Sequence, residues 1–156
     1  MMEQRISTGG IVIQDNKVLL VHHFQENVYD FWVMPGGGLK GGEGIFRGAE
    51  REVGEETGLR VQAEKIAYIE ELIDEGRYVC KFWVVCRLLS GSLSTAGRDA
   101  DEGFLQEAGF FSQEQVRGMN AFPTILKDLF WQDLQAGFPG IRYLGYAGRE
   151  WGDLPQ

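Results

Sequence analysis

The chain has 156 residues, of which 44% are hydrophobic and 12% aromatic, and its formal net charge is −8. This size and apolar content suffice for one sizeable core but not comfortably for two, so we expect a single domain over residues 1–156. No apolar run approaches the ~20 residues that cross a bilayer, and no signal-peptide pattern opens the chain, which predicts a cytoplasmic protein without membrane contact. Because no basic stripe offsets the negative charge, stable nucleic-acid binding is not expected.

A strand-rich start is predicted for the first thirty residues. Residues 6–14 and 17–24 are rich in apolar and β-branched side chains, and the Asp-Asn pair between them suits a tight turn. His22 and His23 lie at the end of the second strand. Neighbouring residues on a strand point to opposite faces, so one histidine can be core and the other exposed, and we assign neither to a metal site.

A short helix is predicted next from the spacing of apolar residues. Ile45, Phe46, Ala49 and Val53 recur at three- and four-residue intervals and can share one buried side. Gly58 is a suitable residue to end this helix, because glycine readily adopts the left-handed conformation found after a helix C-terminus.

Three carboxylates converge on the predicted helix. At about 100° per residue, Glu52 and Glu56 project from one face, one turn apart, with Glu55 beside them. Like charges so placed repel, and a divalent cation would balance them. Oxygen ligands without nearby cysteine or histidine pairs favour Mg²⁺ or Mn²⁺ over zinc. The alternative is a solvated acidic helix face, the usual fate of an isolated run of charges.

The loop before the helix is unusually rich in glycine. Residues 36–42 contain five glycines, more than a turn needs in order to reverse the chain. Glycine lets the backbone approach a ligand closely, and successive amides can bind an anion while a carbonyl reaches a metal. A glycine-rich loop followed by an acidic helix therefore indicates a site for phosphate and metal.

The loop and helix together resemble the Nudix box of the Nudix hydrolase (MutT-like) family. The box reads G-x5-E-x7-R-E-U-x-E-E-x-G-U, where U is aliphatic, and residues 37–59 match it at every specified position. The Trp-Val-Met-Pro-Gly-Gly run at residues 32–37 is similar to the family's usual lead-in. Lys40 departs from the acid that many members carry there, which we expect to affect loop electrostatics or substrate choice more than catalysis.

The resemblance implies a fold, a reaction and a metal site. The fold is an α/β/α sandwich with a mixed β-sheet, which the order of predicted elements also favours. The reaction is hydrolysis of the pyrophosphate bond in a nucleoside diphosphate linked to another group X. The implied metal ligands are Glu52, Glu56 and the backbone carbonyl of Gly37, with Glu55 as a further ligand or as an acid just outside the ligand set.

The implied catalytic set is Glu52, Glu55 and Arg51 together with a general base. We expect Arg51 to lie on the side of the helix away from the metal face and to fix the rotamer of Glu55 or of Glu43. Glu43, just before the helix, can equally be a purely structural residue near the positive end of the helix dipole.

Members of the resembled family take the general base either from the helix or from a later loop, and the candidate loop here is the acidic one at residues 97–103. Glu102 is the first candidate, and Glu107, closer to the following aromatic strand, is the second. The alternative for both residues is a solvated acidic loop.

The substrate is expected to be a small nucleotide whose phosphates are neutralised by the metal in this acidic protein. The candidate substrate-binding residues are Gly36, Gly37, Gly38, Lys40 and Trp32. Further aromatic residues that could stack on a base are Phe24, Tyr29, Phe31 and Trp83. A nucleoside triphosphate, oxidised ones included, is the leading substrate, with ADP-ribose or a nucleotide sugar as the alternative.

A function of another class is also open, because a Nudix-like fold can serve as a non-catalytic nucleotide-binding regulatory module. Such modules often lose the acids of the box. This chain keeps Glu52, Glu55 and Glu56, which favours the enzyme.

The second half of the chain predicts two more strands, at residues 65–72 and 78–89, followed by helices. Ser112 can cap a short helix that ends near Arg117. A longer helix is predicted over residues 122–134, where apolar residues keep helical spacing and Pro123 suits the first turn.

Two remaining features concern packing. Cys80 and Cys86 have no metal or redox spacing and are expected to be buried free thiols. The tail at residues 137–156 is too apolar to be free, so we expect it to pack on its own domain or on a partner, including a second copy in a homodimer.

Overall fold

The computed structural model describes residues 2–96 and 105–146. The strands are β1 (Gln4–Gln14), β2 (Lys17–Gln25), β3 (Tyr29–Val33), β4 (Gly36–Gly38), β5 (Arg60–Asp74), β6 (Arg77–Ser90), β7 (Leu105–Phe111), β8 (Ala121–Phe122) and β9 (Arg142–Tyr146). The helices are α1 (Ile45–Thr57), α2 (Gln113–Arg117) and α3 (Phe130–Gln135), with a 3₁₀ turn at Thr124–Lys127.

The nine strands of the described ranges form one mixed sheet. Their order is β8-β3-β2-β1-β6-β5-β9, with β4 paired to β1 and β7 paired to β2. The β1–β6 pair and the β5–β9 pair are parallel, whereas β2 is antiparallel to β3 and β5 is antiparallel to β6. This pairing confirms the predicted mixed sheet, and all four long strands extend at least to their predicted ends.

The sheet is apolar on both faces because adjacent side chains on a strand point in opposite directions. Val12 of β1 packs with Val53 of α1 in one buried cluster. Its neighbour Ile11 packs with Leu126 and Phe130 of the C-terminal helical region in the other cluster. Helical layers on both faces confirm the α/β/α sandwich. Phe46, which was expected to share the buried side of α1, is instead 41% exposed.

The prediction of a single long helix after α2 is wrong. Phe122 belongs to strand β8, and α3 begins only at Phe130. The backbone leaves helical geometry at Asp128, where φ is −145° and ψ is −95°. The indole N–H of Trp131 donates to the carbonyl of Leu126 at 2.8 Å, so a side chain occupies an acceptor that a continuous helix would use for its own amide.

The described part of the tail lies against the sheet. Phe138 is buried, and β9 runs parallel to β5. Arg142 pairs with Asp133 at 2.8 Å, and the hydroxyl of Tyr68 donates to the same carboxylate at 2.7 Å. Residues 147–156 lie outside the described residues. Within the described ranges no helix has the length and hydropathy needed to span a bilayer.

The two cysteines differ in their surroundings. Cys86 is a buried free thiol, as predicted, and burial raises its pKa to about 12. Cys80 is also free but only half-buried.

Candidate active site

Helix α1 lies very close to β1 because Gly48 faces the sheet. A Cβ at this position would stand 2.5 Å from Leu39 Cδ2 and 2.6 Å from Thr8 Cγ2, so any side chain would push the helix away. The helix ends as predicted at Gly58, which has a φ of 77° and donates its amide to the carbonyl of Gly54 at 3.0 Å. This close packing carries the acidic face of α1 under strand β4.

Glu52 and Glu56 are buried on that face, with exposures of 4% and 1%. Oε1 of Glu56 accepts a hydrogen bond from the amide of Gly36 at 3.3 Å. Oε2 of Glu52 is buried and accepts no hydrogen bond from any residue in the described ranges. Burying carboxylates is costly unless positive charge or hydrogen bonds compensate, so this pair needs cations around it.

The glycine run forms a short strand, and Gly37 crosses directly over Glu52. A Cβ on Gly37 would lie 2.7 Å from Glu52 Oε1, closer than real Cβ contacts allow. Only glycine therefore lets the backbone approach this carboxylate closely. The backbone of Gly37 and the predicted carboxylate ligand thus lie side by side.

Arg51 joins the acidic residues of the box. Its Nε and Nη2 donate to both oxygens of Glu43 at 2.6 and 2.8 Å, and Nη1 donates to Glu52 at 3.0 Å and to Glu55 at 3.2 Å. Nη2 also donates to the carbonyl of Gly38 at 3.2 Å. The expectation that Arg51 lies away from the metal face is wrong, because it contacts Glu52. Its hydrogen bonds hold the pKa of Glu43 below the usual value.

The donor groups of this site suit a divalent cation that needs few protein ligands. Within residues 2–96 and 105–146, no three carboxylate, imidazole or thiol groups form a cluster that could hold a metal ion by themselves. Mg²⁺ usually takes only one or two protein carboxylates and completes its shell with water and substrate phosphates. The buried Oε2 of Glu52, the adjacent Glu56 and the backbone of Gly37 fit that mode of binding.

The carboxylates open onto a cleft of about 1280 Å³ between the glycine strand and the tips of the hairpins. Its basic lining residues are Arg5, Lys40, Arg77 and Lys81. The acidic residues of the lining are Glu3, Glu43, Glu52, Glu56, Asp74 and Glu75, so acids outnumber the four cations. A polyanionic ligand would need further positive charge, which a divalent ion can supply. Lys40 also lies 3.5 Å from Glu55 at the rim.

Residues 3–129 match the sequence model of the family described as NUDIX domain. The chain belongs to the NUDIX domain family. This finding confirms the resemblance seen in the box and extends it to most of the chain.

Individual relatives of this NUDIX domain are distant. An ADP-ribose pyrophosphatase of Methanocaldococcus jannaschii is 29% identical over 99 residues, which cover 62% of this chain and 58% of that protein. Nudix hydrolase 8 of Arabidopsis thaliana is 24% identical over 129 residues, which cover 79% of this chain and 35% of that protein. The chain therefore spans less than two thirds of the length of either relative.

A solved NUDIX hydrolase from Nitrosomonas europaea has the same fold. Its TM-score with this chain is 0.68 at 24% identity, and the match covers 90% of this chain and 93% of that one. At this identity the likeness shows the fold alone.

The predicted substrate-binding residues of this NUDIX domain divide between two faces of the sheet. Gly36, Gly37, Gly38 and Lys40 line the cleft. Trp32 does not line it: this ring stacks on His22 at 4.5 Å and meets the edge of Phe111 at 4.9 Å. Of the other aromatic candidates in the described ranges, Tyr29 and Phe31 line the cleft, whereas Phe24 and Trp83 do not.

His23 is a cleft residue that the sequence analysis left out. It lies opposite Phe31 in the β2–β3 pair, and the two rings stack at 5.3 Å with an interplanar angle of 5°. Burial, assisted by the charge of Lys81, lowers the pKa of His23 to about 4, so its imidazole is neutral at pH 7. The alternation of faces predicted one buried histidine, but not which face opens onto the cleft.

Lys81 is a second cleft residue that the sequence analysis did not predict. It is only 8% exposed, and it projects from β6 into the floor of the cleft. Desolvation lowers the pKa of its ammonium group, and the carboxylates of Glu70, Glu56 and Glu52 oppose that effect. The only signal in the sequence is a single charge within the apolar run of residues 78–86.

The two candidates for the general base fall in different places. Glu102 lies outside the described residues. Glu107 lies opposite His22 in the β2–β7 pair, so it belongs to the Trp32 face of the sheet and does not line the cleft.

Proposed function

We propose that the protein hydrolyses the pyrophosphate bond of a nucleoside diphosphate linked to a second group, with the aid of Mg²⁺ or Mn²⁺. The observation that carries this proposal is the buried pair Glu52 and Glu56 beside the glycine backbone, at the floor of a cleft that Lys40 and Lys81 also line. Glu52, Glu56 and the carbonyl of Gly37 would hold the metal, with Glu55 as a further ligand. When bound, such an ion neutralises phosphate charge and lowers the pKa of an attacking water.

The chain's own residues would orient the reactants. Arg51 fixes the carboxylates of Glu52 and Glu55 by direct hydrogen bonds, so that their free oxygens keep one direction. Lys40 stands at the rim, where its ammonium group can meet a phosphate. The proposed catalytic set is Glu52, Glu55 and Arg51, with Glu102 proposed as the general base.

Two substrate classes are supported by different observations. A nucleoside triphosphate, oxidised ones included, is supported by Arg5 and Lys40, whose cationic side chains line the cleft and can meet a third phosphate. ADP-ribose or a nucleotide sugar is supported by Asp74 and Glu75, whose carboxylates line the same cleft and can accept hydrogen bonds from sugar hydroxyls. The archaeal relative, an ADP-ribose pyrophosphatase, points the same way.

The test is product release from a panel of nucleoside triphosphates, oxidised nucleotides, ADP-ribose, nucleotide sugars and dinucleoside polyphosphates. Each substrate is assayed with Mg²⁺, with Mn²⁺ and with chelator. Turnover of one class that stops with chelator supports the proposal and names the substrate. Release of pyrophosphate identifies a triphosphate substrate, whereas release of a sugar phosphate identifies the alternative.

The variant Glu56→Gln separates an enzyme from a binding module. It keeps the size of the side chain and removes its charge, so turnover should fall roughly 100-fold or more. Glu64→Gln, an exposed position on β5, is the matched control and should keep full activity. Nucleotide binding without turnover of any panel member would contradict the proposal and favour the regulatory module.

A further inference from the structure

Two residues on the sheet side of Lys81 stabilise its ammonium group, Trp83 by direct contact and Glu70 by its charge. Its ammonium group lies 4.3 Å from the centroid of the Trp83 ring, within the range of a cation–π contact. The indole N–H of Trp83 donates to Glu70 at 2.9 Å, and the Glu70 carboxylate is the strongest of the negative charges acting on Lys81. Because Lys81 and Trp83 are two residues apart on one strand, they share a face. These two interactions hold Lys81 in place, and it is not a mobile surface side chain.

The ammonium group is directed at the acidic site. The position that a Cβ of Gly36 would take lies 3.0 Å from Lys81 Nζ, so the lysine reaches the glycine strand. The amide of Gly36 donates to Glu56, and the charges of Glu56 and Glu52 both act on Lys81. Lys81 therefore lies beneath the residues proposed to hold the metal.

The two buried carboxylates have different cationic neighbours. Glu52 receives a direct hydrogen bond from Arg51 on the helix side, and Arg51 is shared with Glu43 and Glu55. Glu56 accepts a hydrogen bond from the neutral amide of Gly36. Lys81 supplies positive charge to this pair from the side of the sheet.

We propose that Lys81 is a counter-cation of the carboxylate site, a positioning residue that balances Glu56 and Glu52 before any divalent ion binds. Since like charges repel, the same ammonium group weakens binding of the divalent ion to the free protein. Substrate phosphates would offset that repulsion, so metal and nucleotide should bind more tightly together than separately. This inference rests on the metal-dependent function proposed above.

The first measurement is Mn²⁺ binding to the full chain without nucleotide, followed by electron paramagnetic resonance or calorimetry. Lys81→Met and Lys81→Gln remove the charge, and both should bind Mn²⁺ roughly tenfold more tightly than the wild type, or tighter. Lys81→Arg keeps the charge and should stay within about twofold. Arg87→Met is the matched control: it makes the same change of charge on the same strand, at an exposed residue outside the cleft.

The second measurement is the effect of a non-hydrolysable nucleotide on Mn²⁺ affinity. The nucleotide should tighten Mn²⁺ binding more in the wild type than in Lys81→Gln, a difference that a merely structural role for Lys81 would not produce. Two charge-removing variants and Lys81→Arg keep the test decisive if one of them does not fold.

Two failures can be told apart. An active wild type whose Mn²⁺ affinity is unchanged in Lys81→Met and Lys81→Gln would overturn this inference and leave the proposed function standing. A wild type that binds no Mn²⁺ and turns over no substrate would overturn the proposed function, and this inference with it.

Discussion

The guanidinium group of Arg51 donates hydrogen bonds to both oxygens of Glu43, with N–O distances of 2.6 and 2.8 Å. This bidentate pair ties helix α1 to the loop that precedes it. The same guanidinium group holds Glu52 and Glu55, so one side chain fixes the rotamers of three carboxylates. Arg51 is therefore a positioning residue whose geometry matters as much as its charge.

Arg51→Lys should lower kcat by roughly 10- to 100-fold, because a lysine keeps the charge but lacks the planar fork that bonds both oxygens of Glu43 while also reaching Glu52 and Glu55. The free energy of unfolding should fall by about 1–3 kcal/mol. Steady-state kinetics and chemical denaturation measure the two effects. Arg47→Lys, on the same helix but 86% exposed, is the matched control. An unchanged kcat with lowered stability would show that Arg51 only supports the fold.

Glu43 should make stability depend on pH at the acid end. Its hydrogen bond with Arg51 lowers its folded-state pKa below the ordinary value of 4.5. The stabilisation is then fully present above about pH 4.5 and is lost as the pH falls through the lower folded-state pKa. The difference in unfolding free energy between the wild type and Glu43→Gln, measured by denaturation from pH 7 to pH 3, should shrink below that point. A constant difference across this range would contradict the assignment.

Gly37→Ala tests the close approach of backbone and carboxylate. The added methyl group would stand 2.7 Å from Glu52 Oε1, so it must displace that side chain or strand β4. We expect kcat to fall at least about tenfold and stability to fall by about 1–3 kcal/mol. Gly41→Ala is the matched control, because a Cβ there meets nothing within 4 Å. Equal activity of both variants would show that the contact between Gly37 and Glu52 has no catalytic importance.

The box helix and its ends were predictable from the sequence because local rules decide them. Gly58 ends α1 in the left-handed conformation, and Ser112 caps α2 by accepting a hydrogen bond from the amide of Gln115 at 3.2 Å. Both depend on a residue's own backbone preference or on a partner three positions away. The metal-ligand candidates followed from such local spacing as well.

Features that depend on tertiary contacts were not predictable. The prediction of a long C-terminal helix failed because a 3₁₀ turn followed by a short helix buries the same apolar residues, Leu126 and Phe130, that one helix would bury. Trp32 lies outside the cleft because register and sheet curvature, which spacing does not reveal, decide which face of β3 opens to it. Lys81 belongs to no motif, and only the pairing of β6 beside β1 brings it to the site.

Phe31 and Trp32 provide the sharpest comparison of the two faces of β3. Phe31 lines the cleft and Trp32 does not, although they are neighbours in the sequence. If Phe31 stacks on the nucleobase, Phe31→Leu should raise KM about fivefold or more with little change in kcat, since stacking on an aromatic ring contributes roughly 1–3 kcal/mol per base. Trp32→Leu should leave KM unchanged and lower stability, because that ring packs on His22 and Phe111. Kinetics on the substrate found in the panel, with thermal unfolding of both variants, measures the contrast. A rise in KM for Trp32→Leu alone would place the base on the opposite face of the sheet.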